Sequence, residues 1–184
     1  MTEAPSGARW LVVNAVLAGL AALALVVLLV IAIAGRSVLP GTSPADRAAK
    51  NYTAAEDAAK SAMDAFLTVD YRNMDKLQDT LLKLSTGSFK TQYAAARVNI
   101  KATSQAARVV ATPTVRDVAV SQLSATKATA VVAADLVRSN KATKKETATK
   151  ACPHAGATCL YFRFTVELAK TADGWKLSGV EPVS

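Results

Sequence analysis

At 184 residues the chain has room for one folded domain, and roughly its first fifth has no globular composition. The formal net charge of +8 falls after that region, because Arg9 and Glu3 cancel within the N-terminal stub. The basic residues are not interleaved with stacking aromatics, which argues against nucleic acid as a partner. Walker loops, dinucleotide fingerprints and Ca²⁺ loops are absent from the sequence, so no cofactor is expected.

From Trp10 to Ala34 run 25 residues in which Asn14 is the only strongly polar side chain. A helix of that length spans a hydrocarbon core about 30 Å thick, with some to spare for tilt. Trp10 sits where an interfacial anchor belongs, and Gly35-Arg36 closes the run. The rival reading is a secreted protein cleaved after Ala34, since Ala32-Ile33-Ala34 has the form of a small-residue cleavage site. A signal h-region, however, is roughly 7 to 15 residues long. The expectation is a cytoplasmic stub over 1–9, a transmembrane helix over 10–34, a tether over 35–43 and one domain over 44–184. Positive residues near the two ends of the span do not decide its orientation. Cys152 and Cys159, the only two cysteines, fit an oxidising compartment. The reading is therefore a single-pass protein of the cell membrane with its C-terminal domain extracytoplasmic.

After the tether, Ser43, Pro44 and Asp46 have the pattern of N-cap, N1 and N3 at a helix start. Ala48, Tyr52, Ala55, Ala59, Met63 and Phe66 make one apolar stripe, with Lys50, Glu56, Asp57, Lys60 and Asp64 facing water. A shorter helix follows from Met74, Leu77, Leu81 and Leu84, with Asn73 as its cap. At the corner Ser85 to Ser88, Gly87 is expected to end that helix with a positive φ and Ser88 to cap the next. The third helix places Phe89, Tyr93, Ala96 and Ile100 on one face and Lys90, Arg97, Lys101 and Arg108 on another.

Beyond Ala107 the period changes to two. Thr114 to Leu123 reads as a weak strand, with Pro113 marking an edge or start. Ala128 to Leu136 alternates with Ala130, Val132 and Ala134 inward. Leu160, Phe162, Phe164, Val166 and Leu168 alternate with polar neighbours in the clearest strand of the chain. Asp173-Gly174 then turns it into a hairpin whose inward residues are Trp175 and Leu177. Helices over about 44–107 and strands over about 109–183 give an α+β domain. Its three helices cover one face of a curved antiparallel sheet of about four strands.

Few residues invite a chemical role. His154 is the only histidine, and no strained Gly-x-Ser-x-Gly elbow accompanies it. Cys152, His154 and Cys159 lack an obvious fourth metal ligand; a disulfide between the two cysteines explains more, with a free thiol pair as the alternative. Asp64 with Asp70, or Asp75 with Asp79, could be drawn as acid and base, but water-facing helices produce the same pattern. No enzyme activity is expected. Arg138, Lys141, Lys144, Lys145 and Lys150 form a basic stretch that reads as a solvated, disordered loop or as an attractor of anionic lipid. Tyr71, Phe89, Tyr93, Phe162 and Trp175 would line an apolar pocket if the helices and sheet enclose one, or else belong to the core.

Taken in order, the single span, the alanine-rich helix, Asp70-Tyr71, Thr86-Gly87-Ser88-Phe89, Tyr93, Gly174-Trp175 and Pro182-Val183 resemble the Mce-associated membrane proteins of actinobacterial envelopes. The resemblance covers most of the chain. It implies a fold similar to cystatin-like or nuclear transport factor-like α+β domains, a fold also used by type IV secretion scaffolds. It also implies an accessory, stabilising or assembly role, through protein contacts, beside an Mce importer of fatty acids or sterols. The partners implied are the membrane itself, Mce transporter subunits or other envelope proteins, and lipid. The cysteine-bracketed insertion and the basic loop depart from the family pattern. The alternative is a domain of the same fold that binds a small apolar ligand or acts on one in a pocket.

Overall fold

The computed structural model describes residues 22–31 and 43–183. The stub and most of the span and tether expected before Ser43 lie outside those residues. Two compact units are distinguished, Met1–Ala49 and Lys50–Ser184. Of the first, residues 22–31 are helical (α1) with every side chain exposed. No helix among the described residues is long and apolar enough to cross a membrane.

Helix α2, Pro44–Leu67, begins with the expected cap. The Asp46 backbone N–H donates to Ser43 Oγ at 3.0 Å, and the Ser43 N–H reaches back to Asp46 Oδ2 at 3.2 Å. Its buried face consists of Ala55, Ala59, Ala62, Met63 and Leu67, with Phe66 half-buried beside them. Ala48 and Tyr52, expected on this stripe, are exposed. The inward face thus begins at Ala55.

Strand β1, Val69–Asp70, has only two residues, too few to show a period. It makes the sheet five-stranded where about four strands are expected. Helix α3, Met74–Leu84, buries Met74, Gln78 and Leu81, and α4 runs from Gly87 to Ala107. The basic face of α4 serves α3: Arg97 bonds Asp79 at 3.0 Å, and Lys101 bonds Asp75 at 2.6 Å. Strands β2 (Val110–Leu123), β3 (Lys127–Ser139), β4 (Thr158–Thr171) and β5 (Gly174–Pro182) complete the fold.

Every paired neighbour in the sheet is antiparallel, and spatial order follows chain order, β1-β2-β3-β4-β5. Strand β2 starts at Val110, before Pro113. Because β1 pairs only with Ala111 and Val110, Pro113 lies where its missing N–H leaves no ladder bond unmade on the open side. Irregularities at Val115/Asp117, Val120/Gln122 and Glu167/Leu168 bend the ladder in the way bulges do. The period-two reading holds: Ala130, Val132 and Val166 are 0% exposed and Leu168 1%. These residues form one core with Ala55, Ala59, Met63, Leu81, Trp175 and Leu177. Complete burial of a side chain such as Leu81 or Leu177 contributes roughly 1.5–3 kcal/mol.

Candidate functional site

The residues expected to line an apolar pocket separate into three places. Phe89 meets Phe66 edge-on at 5.9 Å and stacks on Tyr93 at 6.1 Å. Phe66 also meets Phe164 edge-on at 6.4 Å, and Phe164 lies 5.5 Å from Phe162. These offset and edge contacts link α2, α4 and β4 through rings that are half-buried apart from the buried Phe164, and Phe162 also lines an open cleft of about 470 Å³ with Tyr161 and Arg163. Burial raises the Tyr93 hydroxyl pKa above the ordinary tyrosine value, against opposing effects of Arg97 and Gln78. Trp175 sits apart, its Nε1 donating to Asn51 Oδ1 at 3.1 Å with Lys170 Nζ 4.7 Å over the ring. Tyr71 lies elsewhere, under the Arg72 guanidinium at 5.6 Å.

The corner Ser85 to Ser88 is more than punctuation between helices. Ser85 and Thr86 are extended, Thr86 is the N-cap of α4, and Gly87, at φ +60°, opens that helix instead of ending α3. Ser85 bridges Leu177 in parallel fashion, and the Thr86 N–H donates to the Leu177 carbonyl at 2.8 Å. The corner is thereby docked on β5, with the buried Ser85 Oγ donating back to the Leu81 carbonyl at 2.6 Å. Gln78, which the sequence pattern alone leaves unremarked, is 1% exposed and donates from Nε2 to the Arg97 carbonyl at 2.8 Å. Its only sequence signal is a polar residue between Met74 and Leu81 on the inward face.

The basic stretch is solvated, with residues 144–151 exposed, and local hydrogen bonds tie its two ends together around Asn140, Thr143 and Gly156. Asn140 Oδ1 accepts the N–H groups of Ala142 and Thr143 at 2.8 and 3.1 Å, an Asx turn leading into the short 3₁₀ helix Thr143–Lys145. Thr143, 8% exposed, donates from Oγ1 to the Gly156 carbonyl at 2.8 Å. The Gly156 N–H returns to the Glu146 carbonyl at 2.8 Å, and Gly156 takes φ +74°, which favours glycine. Cys152 and Cys159 are joined in a disulfide, closing the second half of this loop. The sulfurs expected as a pair are therefore bonded to each other and not available as thiolate metal ligands. His154 is exposed on the same loop.

This loop forms one wall of a cleft of about 380 Å³. Its cations are Arg72 after β1, Arg108 at the end of α4, and Lys141 and Lys144 beyond β3. The Lys141 N–H donates to the Ala107 carbonyl at 3.0 Å, tying the loop to the helix end. Arg108 is the only described non-glycine residue at positive φ, 54°. The Arg108 N–H bonds the Gln105 carbonyl and the Val109 N–H bonds that of Ser104, the paired bonds of a Schellman cap, whose left-handed position glycine usually takes. Arg72 is held by Asp70, Nε to Oδ1 at 2.8 Å and Nη2 to Oδ2 at 2.9 Å. No ion-pair partner stands beside Arg108, Lys141 or Lys144 among the described residues. Arg138, Lys145 and Lys150 are exposed and do not line the cleft.

Three of the four candidate carboxylates are ion-paired, and the fourth, Asp64, is exposed on α2. Asp70 bonds Arg72, Asp75 bonds Lys101 and Asp79 bonds Arg97. Among the described residues, no three of His, Cys, Asp and Glu are grouped to hold a metal ion.

No protein-family model and no curated protein sequence matches the chain. Solved structures do. An IcmL-like type IV secretion system protein from Legionella pneumophila superposes with a TM-score of 0.52 at 14% identity, covering 74% of this chain and 93% of that one. CagV of Helicobacter pylori, a VirB8 homolog of a type IV secretion system, gives 0.53 at 10% identity over 72% and 98%. The Kfla4162 protein of Kribbella flavida gives 0.51 at 15% identity over 73% and 91%. The fold is thus one that type IV secretion proteins also use.

Proposed function

We infer that the protein is a membrane-anchored accessory or assembly factor of the cell envelope, acting through protein contacts and without catalysis. Its partner, on the motif resemblance, is an Mce-type importer of fatty acids or sterols. The observation that carries this reading is the ring packing among the residues expected to line a pocket. Phe66, Phe89, Tyr93 and Phe164 pack ring against ring, which supports a role carried by surface contacts. Two features support it. Residues 22–31 form a helix of exposed apolar side chains inside a 25-residue apolar run, and the fold is shared with two proteins of secretion machineries. An anchor confines the domain to the plane of its partner, which raises the effective concentration enough for a modest interface to suffice.

The test is crosslinking in native membranes followed by purification and identification of the attached proteins. Removing residues 1–35 should abolish most of the recovery while the circular dichroism of the remaining domain stays folded. Equal recovery with and without those residues contradicts the anchoring role. Recovery of envelope proteins other than lipid-transporter subunits would remove the Mce partner and leave the broader role.

A further inference from the structure

We propose that the cleft between the end of α4 and the 140–156 loop binds a phosphoryl group, the chemistry shared by phospholipid head groups and soluble phosphate esters. The inference goes beyond the docking role and does not rest on it. Three cations without ion-pair partners, Arg108, Lys141 and Lys144, converge there from separate segments. Their mutual repulsion opposes that convergence unless an anion offsets it. A planar guanidinium fork beside two ammonium groups suits a tetrahedral anion carrying more than one charge better than a single carboxylate.

Arg108 carries the argument further. It occupies a left-handed backbone position, φ 54° and ψ 51°, that glycine fills without steric cost. An arginine kept at such a position motivates a role for its side chain. The C-terminus of α4 itself attracts a cation through its partial negative charge. That accounts for Arg108 but not for the two lysines brought from beyond β3. Arg72 adds a fourth guanidinium or ammonium group, its charge already offset by Asp70. The loop wall is fixed in advance by the Asn140, Thr143 and Gly156 hydrogen bonds and by the disulfide, which lowers the ordering cost of binding. The volume of about 380 Å³ leaves room for a substituent esterified to the phosphate.

The experiment uses the full chain in maltoside micelles, titrated calorimetrically with glycerol 3-phosphate and, separately, with a short-chain phosphatidylglycerol, against acetate at equal ionic strength. Saturable binding is expected. Arg108→Gly, and the double change Lys141→Ala with Lys144→Ala, should each weaken it by about tenfold or more, the scale of a lost charge-assisted hydrogen bond. Lys90→Ala, on an exposed part of α4 outside the cleft, should bind as the unaltered protein does. Arg108→Gly also relieves the left-handed strain, so its melting midpoint should hold or rise, separating lost binding from lost folding. Binding of the lipid alone assigns a head-group site, and binding of glycerol 3-phosphate assigns recognition of the phosphate ester itself. The proposal is overturned if neither ligand saturates, or if the cleft variants bind as tightly as Lys90→Ala.

Discussion

Asp70 and Arg72 are two residues apart, and their pairing shows how a local contact sets a residue's titration. The Arg72 side chain, then its backbone N–H, holds the Asp70 carboxyl down from 3.8 to about 2. Because the folded value lies below the unfolded one, the pair favours folding above about 3.8, and that contribution is lost as pH falls toward about 2. Arg72→Ala should raise the Asp70 pKa while leaving it somewhat depressed, since the N–H at 3.0 Å survives the change. Carboxyl ¹³C titration measures this directly, and an unchanged Asp70 value would show that the Arg72 side chain is not the cause. The carboxylate pair Asp75 and Asp79 has the same bland explanation, since each acid answers a cation on the neighbouring helix.

At the scale of elements, the segment between β3 and β4 is the part whose order depends most on a covalent link. It contains a 3₁₀ turn of three residues and little apolar burial beyond Ala157, so it lacks a core of its own. Closing a loop of about eight residues is worth on the order of 2.5 kcal/mol through the entropy removed from the unfolded chain. Replacing Cys152 and Cys159 together by serine should lower the unfolding free energy obtained from urea titration by an amount of that order, with a matching fall in the midpoint. A midpoint that does not move would mean that the hydrogen bonds of Asn140, Thr143 and Gly156 hold the loop without help. The corner at Ser85 and Thr86 is ordered differently, by backbone bonds to Leu177 on a distant strand.

For the molecule as a whole, the decisive question is on which side of a membrane the folded unit lies. The disulfide fits an oxidising compartment, and Lys144 is exposed on the loop it helps to order. An amine reagent that cannot cross membranes should therefore modify Lys144 in intact cells. Protection until the cells are opened would place the unit in the cytoplasm and remove the envelope role. The core itself is built largely from small side chains. Ala55, Ala59 and Ala62 of α2 share it with Ala128, Ala130 and Ala134 of β3, while the larger rings gather around Phe164.

The amino-acid pattern alone determined the class of fold, the inward faces of β3 and β4, the terminal hairpin and the cap at Ser43, and it favoured a bond between the two cysteines that the structure shows. Each of these depends on residues near one another in the chain, where a period of two or 3.6, a turn glycine or a short cysteine spacing leaves a local mark. Tertiary structure alone decided the rest. Strand β1 exists because Val69 and Asp70 meet Val110 and Ala111. The corner at Thr86 rests on Leu177, and Tyr71 joins three separate basic segments in one cleft instead of the rings of Phe89 and Tyr93. Partners in such contacts are set by how strands and helices come together across long stretches of chain, and periodicity in one segment carries no information about which other segment will face it.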